Sequence, residues 1–348
     1  MAHEILLVKY SNFFGEKMSE EKHKIDVLII GSGPAGLTAA IYTSWLGLKT
    51  VVLETSIIGG RAWLAPQIEN FPGFELGIKG QELVEKMRLH ALRFGTEIRS
   101  DEEVIGLGLK GEVKCVVSRK QTYNAHAVII ATGTQSRKLL VPGEINFVGR
   151  GVSYCVTCDG PFFKHASVAV VGNGEEAAVN ALFLSDIANK VMIVTNEREL
   201  EISCILIDRL RNKSNIEIIK GKITQILGGQ SVKGIKILEF DSQLVVEREV
   251  NGVFVSLGGV PLTAIVRNAG VVTDKAGCLI IDRQQKTNVE GVFAAGDCTC
   301  GGMQVVTAAG EGAMAGMRAS AYVRARAFAN PSVLASTPSN LFGSLGTD

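Results

Sequence analysis

The chain has 348 residues, 36 Lys and Arg against 35 Asp and Glu, a formal net charge of +1 at pH 7 and 46% hydrophobic residues. Its length and apolar content suit about two globular domains. A near-zero charge without a basic block argues against nucleic acid and against a membrane surface as partners. No stretch approaches the roughly 18 apolar residues of a membrane span, and the run ILLV at 5–8 is too short for a secretory leader. Seven cysteines are an odd number and do not make a disulfide framework. The reading at this level is a cytoplasmic protein.

In chain order, IDVLII at 25–30 fits a buried parallel strand and is followed by GSGPAG at 31–36. Leu37, Ala40 and Ile41 then take helical spacing, and TVVLE at 50–54 reads as a second strand ending at Glu54. In this strand–turn–helix setting Gly31 permits the tight turn. Gly33 lets a pyrophosphate approach the backbone, with Pro34 and Ala35 opening the helix, and Gly36 brings helix and strand together. Glu54, 23 residues after Gly31, sits where a carboxylate accepts bonds from ribose hydroxyls. A meander leads to a buried strand at about 127–131. The pattern repeats at 167–185 and 190–196, and three further meander-like strands follow in IEIIKGKITQIL, VKGIKILEF and GVFVSLGG. A Gly- and Ala-rich helix is expected over 304–328, with small residues for close approach, and the tail after it reads as irregular.

Between the repeats lies CVTCDG at 155–160. A C-x-x-C pair lowers the pKa of one thiol through its partner and a helix terminus, which favours redox chemistry. Zinc needs two more ligands, and neither a second C-x-x-C nor a histidine pair supplies them. A redox disulfide therefore outranks a metal site and an inert pair. Cys298 and Cys300 read as small side chains in a crowded turn, ahead of a second redox or regulatory pair. Cys115, Cys204 and Cys278 read as thiols without a role. The five histidines are isolated.

GSGPAG, IENFPG at 68–73, IIATG at 129–133, CVTCDG and GVFAAGD at 291–297, in this order, give residues 24–329 a resemblance to the low-molecular-weight thioredoxin reductases. The resemblance implies an α/β fold of two Rossmann-like doubly wound domains, the second inserted into the first. It divides the chain into an N-terminal extension at 1–24, an FAD domain at 25–137 and 264–329, an insert at 138–263 carrying the C-x-x-C, and a tail at 330–348. It implies FAD in the first glycine site, Asp297 on the ribityl or phosphate, and Asn70 and Gln304 beside the flavin ring. Thr132, Gly133 and Gly296 join the cofactor set through their motifs. Cys158 would face the flavin, Cys155 would attack the disulfide of a thioredoxin-like protein, and Asp159 would handle the leaving thiol's proton. The family also implies a homodimer.

The second nucleotide site departs from the family. Gly172, Gly174 and Ala177 keep the G-x-G-x-x-A backbone, but Glu175 and Glu176 fill the turn. There two carboxylates satisfy the helix dipole themselves and repel a pyrophosphate. Thr195, Asn196, Glu197 and Glu201 replace the basic residues that grip the 2′-phosphate of NADPH, and only Arg198 remains. The expected activity is disulfide reduction with ferredoxin or reduced deazaflavin (F420H2) as donor. The alternatives are an NADH-dependent reductase and a dithiol oxidase that passes electrons to oxygen. The tail is read first as an irregular segment without a role, and second as carrying Phe342 as a lid on a flavin face that no nicotinamide covers.

Overall fold

A computed structural model describes residues 24–329. Residues 1–23 and the tail, Phe342 included, lie outside the described residues.

The first sheet grows from β1 (Lys24–Ile30), whose residues 25–30 are all buried. A strand covered on both faces has no reason to alternate, which is why it reads as a continuous apolar run. Next come helix α1 (Pro34–Trp45) and β2 (Thr50–Leu53). A short helix α2 (Gly60–Trp63) and the longer α3 (Gly80–Arg93) lead to β3 (Glu97–Arg99). The meander is β4 (Val104–Gly108), β5 (Lys114–Ser118) and β6 (Thr122–Ile130). The strand order is β3-β2-β1-β6-β5-β4. β6 is longer than the sequence predicts because it serves two neighbours on one edge. Its first half pairs antiparallel with β5, Ala125 opposite Lys114, and its second half pairs parallel with a late strand, Ile129 opposite Phe293.

The chain leaves this domain through β7 (Thr134–Ser136). The insert contains β8 (Val152–Ser153), helix α4 (Val156–Asp159), β9 (Ser167–Val171), helix α5 (Glu175–Ser185) and β10 (Lys190–Val194). After helix α6 (Cys204–Arg211) come β11 (Ile216–Ile219), β12 (Gly221–Gly228), β13 (Val232–Glu239), β14 (Val245–Glu249) and β15 (Gly252–Val255). The second sheet has the order β11-β10-β9-β15-β8 with all its pairs parallel. Only β12-β13-β14 is an antiparallel meander. The run at 216–227 is thus two strands in two sheets: β11 extends the parallel sheet beside β10, and β12 starts the meander. β15 likewise returns to the parallel sheet.

The return crossing, β16 (Gly259–Pro261), pairs antiparallel with β7, Pro261 opposite Thr134. Entry and exit of the insert therefore form one two-stranded connection. The first domain then closes with β17 (Val292–Ala294) and the long helix α7 (Val305–Ala329). The small residues of α7 have the expected use. A Cβ on Gly312 would lie 2.2 Å from the Ala35 carbonyl oxygen, so only glycine lets α7 lie this close to α1. Apolar clusters cover both faces of each sheet, giving two doubly wound α/β units with the second inserted into the first. No helix among the described residues is long and apolar enough to cross a membrane.

Candidate active site

The first glycine turn lies between β1 and α1. Gly31 has φ +101°, and a Cβ there would meet the Ala131 carbonyl oxygen at 2.3 Å, so both conformation and space demand glycine. Gly33 caps α1 with Pro34 at its start, and its open side has no atom within 4 Å of a would-be Cβ. Glu54 is tied to the turn: its carboxylate accepts from Ser32 N at 2.9 Å, Ser32 Oγ at 2.8 Å and Ser56 N at 2.8 Å. A carboxylate has about four acceptor sites, so capacity for a ribose hydroxyl remains.

Parallel pairing brings the other expected cofactor residues to the same sheet end. Thr132 and Gly133 follow β6 after Ala131, and Ala131 and Thr132 lie against Gly31. Gly296 packs on Ala35, where an added Cβ would come within 2.7 Å. Burial pushes the Asp297 carboxyl above its usual range, with Arg61 pulling the other way. Thr132 Oγ1 is a buried hydroxyl without a hydrogen-bond partner among the described residues. Such a group costs free energy unless something bonds it. On the far side of the cradle Asn70 Nδ2 donates to Gln304 Oε1 at 3.0 Å, joining the IENFPG loop to the start of α7. An open backbone cradle, a ribose-level carboxylate, an orphaned hydroxyl and a half-buried acid fit a flavin dinucleotide.

Cys155 and Cys158 form a disulfide, with Cα atoms 5.3 Å apart. Cys155 is the N-cap of α4 and accepts from Cys158 N at 3.1 Å. Ser153 Oγ accepts from Cys155 N at 3.0 Å. Thr157 Oγ1 donates to the Leu64 carbonyl at 3.0 Å and docks the pair on the segment just after α2. Cys158 is exposed, whereas Cys155 and Asp159 are half-buried. In this arrangement the sulfur that the resemblance assigns to the flavin is the open one.

Arg61 on α2 is a residue the sequence reading missed. Its Nη2 donates to both carboxylate oxygens of Glu176 at 2.8 Å, and its Nη1 donates to Thr134 Oγ1 at 3.1 Å. Glu176 is therefore not a free anion that caps its own helix. It is neutralised by a cation from the other domain, beside the two-stranded connection. The second glycine turn is closed from another side as well, because Glu201 N donates to the Asn173 carbonyl at 2.7 Å and Gly174 bridges to Glu201. Lys220 pairs with Glu199 at 2.9 Å. Asn196 has φ +60°, and its Oδ1 is buried with no partner among the described residues.

The remaining cysteines require a correction. Cys278 is not a thiol without a role, and Cys300 is not simply a small residue in a turn: the two form a second disulfide, Cα atoms 5.7 Å apart. Cys298 alone of its C-x-C stays a buried thiol, pushed up to about 11 by burial. Cys115 and Cys204 are free, as expected. A spacing of 22 residues carries no local signature. Only the turn at 274–278 and the loop after Asp297 bring these sulfurs together. No group of His, Cys, Asp or Glu suited to a metal occurs among the described residues.

The family of pyridine nucleotide-disulphide oxidoreductases matches residues 25–312. A thioredoxin reductase of Listeria monocytogenes is 40% identical over 311 residues, 88% of this chain and 96% of that protein. The crystal structure of the Lactococcus lactis thioredoxin reductase in its FR conformation superposes with a TM-score of 0.83 at 35% identity, covering 86% of this chain and 99% of that one. That of the T. acidophilum enzyme gives 0.83 at 32% identity, covering 88% and 100%.

Proposed function

The chain is a flavoprotein disulfide oxidoreductase of the pyridine nucleotide-disulphide oxidoreductase family, and on that premise we propose that it reduces the disulfide of a thioredoxin-like protein with electrons from a donor other than NADPH. FAD is the cofactor of this reading, held by Gly31, Gly33, Pro34, Ala35, Gly36, Glu54, Thr132, Gly133, Gly296 and Asp297, with Asn70 and Gln304 along its ring. Bound FAD supplies the two-electron carrier between donor and disulfide. Reduced ferredoxin and F420H2 are the donors proposed. The protein works as a cytoplasmic homodimer, with the domain limits given by the resemblance.

The observation that carries the choice of donor is the Glu176–Arg61 pair together with the Glu201 contact. A pyrophosphate binds such a turn through free backbone N–H groups at the helix start. Here the helix start presents two carboxylates, and the nearest cation is engaged. A nucleotide must therefore displace Glu176 from Arg61 and still meet Glu175, Glu197 and Glu201.

At the disulfide, Cys158 would be the sulfur that receives electrons from bound FAD, and Cys155 would attack the partner's disulfide. The Cys155 sulfur accepts a backbone N–H at the start of α4. Asp159, one residue after Cys158, takes and returns the proton of the leaving thiol. Anaerobic titration tests the donor: reduced ferredoxin or F420H2 bleaches the flavin, and millimolar NADPH or NADH does so slowly or not at all. Rapid stoichiometric bleaching by NADPH sinks the reading. Oxygen uptake with small dithiols, without any thioredoxin-like protein, replaces it by the oxidase.

A further inference from the structure

We propose that Cys278–Cys300 is a second thiol–disulfide switch: a dithiol reduces it, and reduction releases the loop that bounds the cofactor cradle. The two sulfurs have unlike settings. Cys278 is 6% exposed and ends a tight turn in which Asp274 Oδ1 accepts from its backbone N–H at 2.9 Å and from that of Ala276 at 2.8 Å. Leu279 N then donates to the Cys298 carbonyl at 2.8 Å. This side is fixed to the core. Cys300 stands on the other side at the start of an exposed stretch, Gly301 to Gln304. It has φ +60° and Met303 has φ +51°, left-handed conformations that non-glycine residues seldom adopt. Two glycines lie between them, so the backbone of this loop has little stiffness of its own. The disulfide joins a rigid turn to a loop held in an unfavourable conformation.

The loop also lies at a sensitive place. Asp297 precedes Cys300 by three residues, and Cys300 N donates to the Asp297 carbonyl at 3.1 Å. Gln304 follows it by four residues and accepts from Asn70. Both ends of the loop are thus residues of the cradle, and the disulfide is the covalent tie that holds the loop between them to the turn at 274–278. The consequence for the flavin rests on the FAD reading above; the redox chemistry of the pair does not.

The exchange balances without any further reactant. A dithiol's thiolate attacks the half-buried Cys300 sulfur, the bond to Cys278 breaks, and Cys278 leaves as a thiolate that takes a proton. The dithiol's second thiolate then attacks the mixed disulfide, closes its own disulfide and frees Cys300. Two electrons pass from the dithiol to the protein. Attack at Cys300 rather than Cys278 follows from exposure. Cys298 does not compete: its sulfur is buried, donates to the Ala295 carbonyl at 3.3 Å and remains protonated.

The test uses the full-length holoprotein with dithiothreitol as the probe dithiol. Differential alkylation and peptide mass report Cys278 and Cys300 separately from Cys155 and Cys158. Hydrogen exchange reports the amides of 298–304, and filtration reports flavin release. The expected result is blocked Cys278 and Cys300 in the oxidised protein, and both alkylated after dithiothreitol without unfolding. Exchange over 298–304 then speeds by about tenfold or more, flavin release rises with it, and both changes reverse on reoxidation. The Cys155→Ser/Cys158→Ser variant should show the same exchange change, since it retains only this pair. Free Cys278 and Cys300 before any reductant overturn the proposal. So does a pair that dithiothreitol leaves intact in the folded protein, or one whose reduction leaves 298–304 unchanged. A protein without flavin in both redox states would instead count against the FAD reading, while alkylation and exchange still judge the switch.

Discussion

Replacing Glu176 with Gln tests whether the second nucleotide site is closed by charge or by shape. The pair it removes is bidentate at 2.8 Å. Two unit charges at that separation attract by about 6 kcal/mol at an effective dielectric of 20. The side chains are 27% and 39% exposed, so water screens much of this, and a surface pair of good geometry contributes about 1 kcal/mol. A phosphate that takes Arg61 from Glu176 must offset that 1 kcal/mol. It then faces a freed carboxylate whose repulsion adds about 1 kcal/mol through solvent. Both terms vanish in Glu176→Gln, so NADPH should bind about 30-fold more tightly than to the wild type. Affinity stays weak in absolute terms, because Glu175, Glu197 and Glu201 remain. Calorimetric titration of oxidised protein with NADP+ or NADPH measures the change, and Arg61→Gln is the decisive control. That variant loses the same pair but leaves Glu176 uncompensated, so it should bind no better than the wild type. If Glu176→Gln binds within twofold of the wild type, or Arg61→Gln gains equally, the charge argument fails and steric closure by the Glu201 contact is the remaining cause.

Three further outcomes follow from the first site and the C-x-x-C. Burial raises the Asp297 carboxyl, so the folded state holds its proton more tightly than the unfolded state. The stability from this group is complete below the unfolded value of about 3.9 and is lost as pH rises through the raised folded value. Flavin-free Asp297→Asn should therefore melt above flavin-free wild type at pH 7 and level with it near pH 3, by calorimetry at both pH values; an equal gap at both would falsify the assignment. Thr132→Val should leave the apoprotein's melting temperature unchanged or slightly higher, and weaken FAD by about fivefold through loss of about 1 kcal/mol of hydrogen bonding, as read by fluorescence titration with FAD. Cys155→Ser should show a long-wavelength charge-transfer band from the Cys158 thiolate beside oxidised flavin, and Cys158→Ser should lack it. Reversed spectra would exchange the two roles.

The sequence by itself determined what lies within one strand–turn–helix unit. The buried run at 25–30, the glycines at 31, 33 and 36 and the acid at 54 are close along the chain. Their spacing follows from backbone geometry that no distant contact alters. The same holds for Cys155 and Cys158, three residues apart on one short helix. Periodicity also announced the repeat and the small residues of α7, because close helix packing demands small side chains wherever it occurs. Periodicity did not tell β11 from β12, since a short apolar strand reads alike whether its neighbour is parallel or antiparallel. The contacts that set the character of the two sites span the chain. Arg61 meets Glu176 across 115 residues, and Asn70 meets Gln304 across 234. Closing loops of that length costs entropy that no local pair repays, so such contacts exist only where both sheets have already placed the partners. For that reason Glu176 read as a repelling charge and proved to be half of a pair. Cys278 and Cys300 read as unrelated thiols, and the fold made them a disulfide by setting a rigid turn against the loop that follows Asp297.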